Sequence, residues 1–262
     1  MKKIALVALS LSLMPMASHG QVEVREISPR PGVTLRFVYA KADNPVAGAV
    51  LFQGGPGAIG IFPNGSMRVE GFLSGGAHRF TRNGISVVIP DVPSDRRTLD
   101  EFRDTPEHAQ DNAALIVFLR EQAELPVWAI GISNGSLSAA AASTHLKEKG
   151  PDGLVLTSSV TSAPVAAAHS VLLAPLHEVK VPVLLVHHKQ DGCRVTPYDA
   201  MPGLAAALKS AKKVELISEE GGSATGNPCH TGYHQFLGIE AAVTRDIAEW
   251  IKRYQSAAAK GN

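Results

Sequence analysis

One stretch constrains this chain more than any other: residues 126–143, PVWAIGISNGSLSAAAAS. An apolar run over 127–130 stops at Gly131, Ser133 stands between Gly131 and Gly135, and the small residues of 136–143 suit a helix. Strand, sharp turn and helix therefore follow one another within a few residues. So tight a turn forces Ser133 into a strained backbone conformation. A side chain two residues to either side would run into the neighbouring strand or helix, so those positions are glycine. The alanines that follow let the helix lie close on the sheet.

The same alternation recurs along the chain. Residues 22–27 and 33–39 read as an opening antiparallel pair of strands. Residues 47–52 form a continuous apolar run, as in a strand buried on both faces. A helix is expected over 68–82, a strand over 85–90 and a polar loop over 91–98. An amphipathic helix follows over 106–122. Beyond the central stretch come strands at 153–156, 181–187 and 213–218. Helical segments are expected over 163–178, 197–210 and 235–257, the last with an apolar stripe through Phe236, Ile239, Val243, Ile247, Trp250 and Ile251. Strands alternating with helices predict an α/β fold, a mostly parallel sheet covered by helices on both faces.

The 262 residues carry a formal net charge of +1 with no block of one sign, which gives no reason to expect nucleic acid or an anionic membrane as partner. Residues 1–20 stand apart: Lys2 and Lys3, an apolar run over 4–16, then Ala17-Ser18-His19-Gly20. This pattern predicts a signal peptide cleaved after Gly20, with export to the periplasm or beyond. The apolar run is too short for a comfortable membrane span, so no stable insertion is expected after cleavage. Residues 21–262 are expected to form one domain. In an oxidising compartment Cys193 and Cys229 are expected to pair as a disulfide. A metal site from His187, His188, Cys193, Cys229 and His230 is not expected, because no pair has the usual ligand spacing.

A serine is a poor nucleophile at neutral pH and needs a base oriented by a carboxylate. In parallel sheets reactive groups sit in loops at the carboxyl ends of strands. That rule shortlists Asp91 and Asp191 as acids, and His230 and His234 in the last loop as bases. The chain order Ser133, Asp191, His234 is the one that a Gly-x-Ser-x-Gly turn of this kind calls for. His234 is the preferred base because it stands at the entrance to the last helix; His230, beside Cys229, is the alternative. A Cys193–Cys229 bridge would tie the acid loop to the histidine loop. An oxyanion formed on attack needs prearranged amides. The Asn134 N–H is one candidate, and the other lies in the loop Gln53-Gly54-Gly55-Pro56-Gly57.

Together these motifs resemble the α/β-hydrolase family over nearly all of the chain beyond residue 20. Gly-Ile-Ser-Asn-Gly is similar to that family's nucleophile elbow, and Gln53-Gly54-Gly55-Pro56-Gly57 resembles the His-Gly-Gly-Pro-Gly loop of proline iminopeptidase-like members. The resemblance implies the Gly55 N–H as second oxyanion donor, with Gln53 standing where the family usually has His. Many members insert a helical cap after the strand that follows the elbow. Here about 25 residues separate that strand from the next, too few for a lid domain. The expectation is a capless, exported serine hydrolase acting without a cofactor on a small-molecule carboxylic ester. A peptidase or amidase on the same triad, and a non-catalytic secreted binding protein on this fold, are the alternatives.

Overall fold

The computed structural model describes residues 22–162 and 169–260, so the expected signal peptide lies outside the described residues. Eight strands form one sheet: β1 (Val22–Arg30), β2 (Val33–Ala40), β3 (Ala47–Phe52), β4 (Ile85–Pro90), β5 (Val127–Ile132), β6 (Gly153–Thr157), β7 (Val183–His188) and β8 (Val214–Glu219). Their order is β1-β2-β4-β3-β5-β6-β7-β8. β1 and β2 pair antiparallel, as does β2 with β4, and every later pairing is parallel. β3, β5, β6 and β7 are buried along their whole length, which is why they read as continuous apolar runs.

The helices are α1 (Ala77–Arg82), α2 (Pro106–Gln122), α3 (Gly135–Leu146), α4 (Met201–Ala207) and α5 (Glu240–Lys260). Side chains alternate across β3, so Leu51 joins one core and Val50 and Phe52 the other. The first core packs Phe80 of α1 and Val243, Ile247 and Trp250 of α5 against the sheet. The second packs Leu115 and Leu119 of α2, Ala139 and Ala140 of α3, and Leu204 of α4 against the opposite face. Thr105 caps α2, its hydroxyl accepting the His108 N–H, with Pro106 at the first helical position.

Several boundaries differ from expectation. The helix expected over 68–82 reduces to a 3₁₀ turn, Ser74–Gly76, and the short α1. Its early amides are taken by side chains instead: Gly71 N–H by Ser74 Oγ at 2.8 Å, Phe72 N–H by Gln235 Oε1 at 2.9 Å, and Ser74 N–H by Gln53 Oε1 at 3.0 Å. β5 runs on to Ile132, so it reaches the elbow without a break. The helix expected over 197–210 is a 3₁₀ turn at Tyr198–Ala200 followed by α4. The last helix starts at Glu240, because Phe236 is left-handed at φ 56° and closes a 3₁₀ turn over Gly232–Gln235. Between β6 and β7 the described residues form only the 3₁₀ turns Val171–Leu173 and Leu176–Glu178; the start of the helix expected over 163–178 lies outside them. No cap domain is present among the described residues. No described helix is long and apolar enough to cross a membrane.

Candidate active site

Ser133 follows β5 directly, with a strained φ of 54°, and is 9% exposed. The flanking glycines are required by contact. A Cβ on Gly131 would collide with the Gly135 carbonyl, and one on Gly135 with the carbonyl of Phe52 on β3. The turn therefore presses against the neighbouring strand, and a Cβ on Gly54 would stand 2.8 Å from that of Ser133. The glycine loop after β3 is thus packed against the serine.

Asp191 lies in the loop after β7, and its side chain is fully buried. His234, also fully buried, stands in the 3₁₀ turn between β8 and α5. The structure brings the two together: His234 Nδ1 is 2.9 Å from Asp191 Oδ2. A carboxylate only accepts, so Nδ1 carries a proton. His234 Nε2 is buried and has no hydrogen-bond partner among the described residues. The backbone of His234 is held as well, by the Ser158 hydroxyl, which donates to the His234 carbonyl at 2.9 Å.

Asp191 is surrounded by donors. The Cys193 N–H donates to Oδ1 at 2.9 Å, and the Thr196 hydroxyl donates to Oδ2 at 2.9 Å. His187 Nε2 donates to the Thr196 carbonyl at 2.9 Å and lies 3.3 Å from Asp191 Oδ2. Burial alone pushes the carboxyl up. Hydrogen bonds from His187 and His234, the His234 charge and the Cys193 amide outweigh burial and hold it well below the usual carboxylate range. Cys193 and Cys229 form a disulfide that joins this loop to the segment leading to His234. His230 is exposed on that segment, in the turn its N–H closes with the Asn227 carbonyl. His188 Nε2 lies 2.9 Å from the Gly221 carbonyl, and its ring stacks on Tyr233. The shortlisted Asp91 is committed elsewhere, accepting the amides of Ile59 and Ile61 at 3.0 Å each.

Asn134 and Gly55 approach one another, the Asn134 side-chain amide donating to the Gly55 carbonyl at 3.2 Å. Gln53, where the family resemblance expects a histidine, supports its loop by accepting the Ser74 N–H. A groove of about 420 Å³ opens beside Asn134, walled by Leu137, Val160 and Val195, with Asp100 and Asp104 at its rim. A larger cavity, about 590 Å³, lies between Lys147, Val181 and Lys212 near the amino ends of β7 and β8. None of the site residues lines it, so its size carries no argument about this chemistry.

Against solved structures, an esterase of Pyrococcus furiosus superposes with a TM-score of 0.65 at 14% identity, covering 89% of this chain and 93% of its own. A dienelactone hydrolase from Anabaena variabilis gives 0.62 at 16% identity, over 90% and 98%. The chain has the α/β-hydrolase fold. No protein-family model and no curated protein sequence matches it.

Within the α/β-hydrolase fold, several site residues escaped sequence reasoning. Thr196 and His187 both touch Asp191, yet a threonine gives no sequence signal, and His187 enters the sequence reading only as a metal ligand. Ser158 belongs to no sequence motif. Its φ of 40° marks it as a strained position at the end of β6. Arg103, on the loop before α2, donates to the Gln53 and Gly55 carbonyls and had no signal at all.

Proposed function

We propose that the protein is an exported serine hydrolase that cleaves a carboxylic ester with the triad Ser133, His234 and Asp191. The observation that carries the reading is the His234–Asp191 pair, 2.9 Å apart and buried, on the loops after β8 and β7 of a sheet whose β5 leads directly into Ser133. In this mechanism Ser133 Oγ bonds to the ester carbonyl carbon while its proton passes to His234 Nε2. Asp191 keeps Nδ1 protonated and balances the imidazolium. The Asn134 and Gly55 amides receive the charge on the former carbonyl oxygen. Collapse expels the alcohol, which takes the proton from His234. A water molecule, deprotonated by the same nitrogen, then frees the acid and regenerates Ser133. No step calls for a cofactor. With no cap domain among the described residues, the groove beside Asn134 receives a small-molecule ester from solvent.

Export rests on the leader-like residues 1–20 and is consistent with the Cys193–Cys229 disulfide. Amide cleavage on the same triad is the second reading. An acylaminoacyl peptidase of Pyrococcus horikoshii shares the fold over 90% of this chain and 42% of its own, at 16% identity and a TM-score of 0.62.

A fluorophosphonate probe on the oxidised protein tests the proposal, with Ser133→Ala, His234→Ala and His230→Ala alongside. Labelling of wild type and His230→Ala, and its loss in the other two, is the expected result. A folded wild type that takes no label refutes the hydrolase reading in favour of a binding protein. Turnover of p-nitrophenyl acetate against aminoacyl anilides then separates ester from amide cleavage.

A further inference from the structure

Arg103 is 3% exposed, and no carboxylate among the described residues hydrogen-bonds to it; Asp100 acts on it only through space. Burial lowers its pKa to about 10, so it stays charged at neutral pH. A buried guanidinium without an ion pair is costly, which makes its actual partners informative. Its Nη1 donates to Ser138 Oγ at 2.7 Å, while Nη2 donates to the carbonyls of Gln53 at 3.2 Å and Gly55 at 3.0 Å. Those carbonyls flank the Gly54–Gly55 peptide, whose N–H belongs to Gly55.

That peptide has little else to hold it. Two glycines leave its plane free to rotate, Gly55 sits at φ 59°, and nothing lies within 4 Å of where its Cβ would be. The Gly54 carbonyl accepts the Gly57 N–H at a long 3.3 Å. The carbonyl opposite the Gly55 N–H is Gly54's own, so the held carbonyls of Gln53 and Gly55 belong to the peptides on either side and restrain this plane from both ends. The Asn134 side chain adds a second grip on the Gly55 carbonyl from the serine's own turn.

We propose, resting on the hydrolase reading above, that Arg103 is a positioning residue: its guanidinium and the Asn134 side chain clamp the Gln53–Gly55 carbonyls and so hold the Gly55 N–H ready for the oxyanion. The clamp acts before substrate arrives, which is what prearranged stabilisation of a transition state requires. A lysine cannot replace it, because one ammonium cannot span two carbonyls and Ser138 as a planar fork does.

The test compares wild type, Arg103→Lys and Asn134→Ala on p-nitrophenyl acetate, with an aryl trifluoromethyl ketone as the tetrahedral-adduct probe. Losing an oxyanion donor outright costs about 10²–10³ in kcat, so a loosened donor in Arg103→Lys is expected to cost about tenfold to hundredfold, with KM within about threefold. Affinity for the ketone should fall in step with kcat, since both depend on the anionic tetrahedral centre. Asn134→Ala, at a part-exposed position, should show the same split at several-fold, and answers the question if Arg103→Lys fails to fold. Folded variants that keep kcat and ketone affinity within about twofold overturn the clamp while leaving the hydrolase reading intact. A wild type inert to both ester and ketone overturns both.

Discussion

The disulfide offers the prediction whose size is easiest to work out. Cys193 and Cys229 close a loop with a sequence separation of 36 residues. In the chain-entropy model such a loop stabilises the fold by about 4 kcal/mol, mainly by restricting the unfolded chain. For a chain of this length about 4 kcal/mol corresponds to roughly 8–16 °C in Tm. The variant Cys193→Ala/Cys229→Ser suits the site, because Cys193 is buried and Cys229 is part-exposed. Thermal and urea unfolding would be followed by circular dichroism, with the oxidation state of wild type confirmed by mass. The freed unfolded chain exposes more surface, so the urea m-value should rise as the midpoint falls. Activity should also fall, since the Cys193 N–H is one of the donors on Asp191. A verified loss of the bridge that shifts Tm by less than about 3 °C would refute the loop-entropy reasoning.

Three further outcomes follow. Ser158→Ala removes the donor to the His234 carbonyl and should cost about 1–3 kcal/mol of stability, plus several-fold in kcat; an unchanged kcat would detach Ser158 from the seating of the base. Gly135→Ala drives a Cβ into the Phe52 carbonyl and should lose about 3 kcal/mol or more, whereas Gly203→Ala, with open space around its Cβ, should gain up to about 1 kcal/mol; equal melting temperatures for the two would contradict the packing at the turn. Burial and the nearby Arg103 and Arg30 charges lower the His108 pKa from 6.5 to about 3. The unfolded chain therefore binds a proton that the folded one refuses. Wild type should lose stability relative to His108→Gln as pH falls through that window, at no more than about 1.4 kcal/mol per pH unit. Parallel stability curves for the two proteins would disprove it.

The strands were the most legible part of the chain, for a physical reason. Runs such as 47–52 and 85–90 are apolar because both faces of the sheet are covered, and their ends fall where burial stops. α2 was equally clear, with Thr105 and Pro106 marking its start. The segment 68–82 departs from its local helical pattern because its amides bond to Gln53 and Gln235, one of them 163 positions away. No local pattern carries such a partnership. The same division runs through the site. Ser133, Asp191 and His234 could be shortlisted from glycine spacing and strand ends, and the structure places the latter two in contact. Arg103, Thr196 and Ser158 act on backbone carbonyls or on a carboxylate that only the folded chain brings near, so their letters alone say nothing.

The seat of His234 has a consequence for truncated forms of the protein. The turn that carries it is anchored by α5, whose Trp250 packs edge-on against Trp128 at 5.5 Å, on β5. Val243, Ile247 and Ile251 complete the same contact surface. His234 and the strand that leads into Ser133 are thus locked together through α5. A chain cut short before residue 240 keeps Ser133 and Asp191 but lacks the helix that seats His234. If the proposed triad carries the activity, a chain truncated there is silent instead of unregulated.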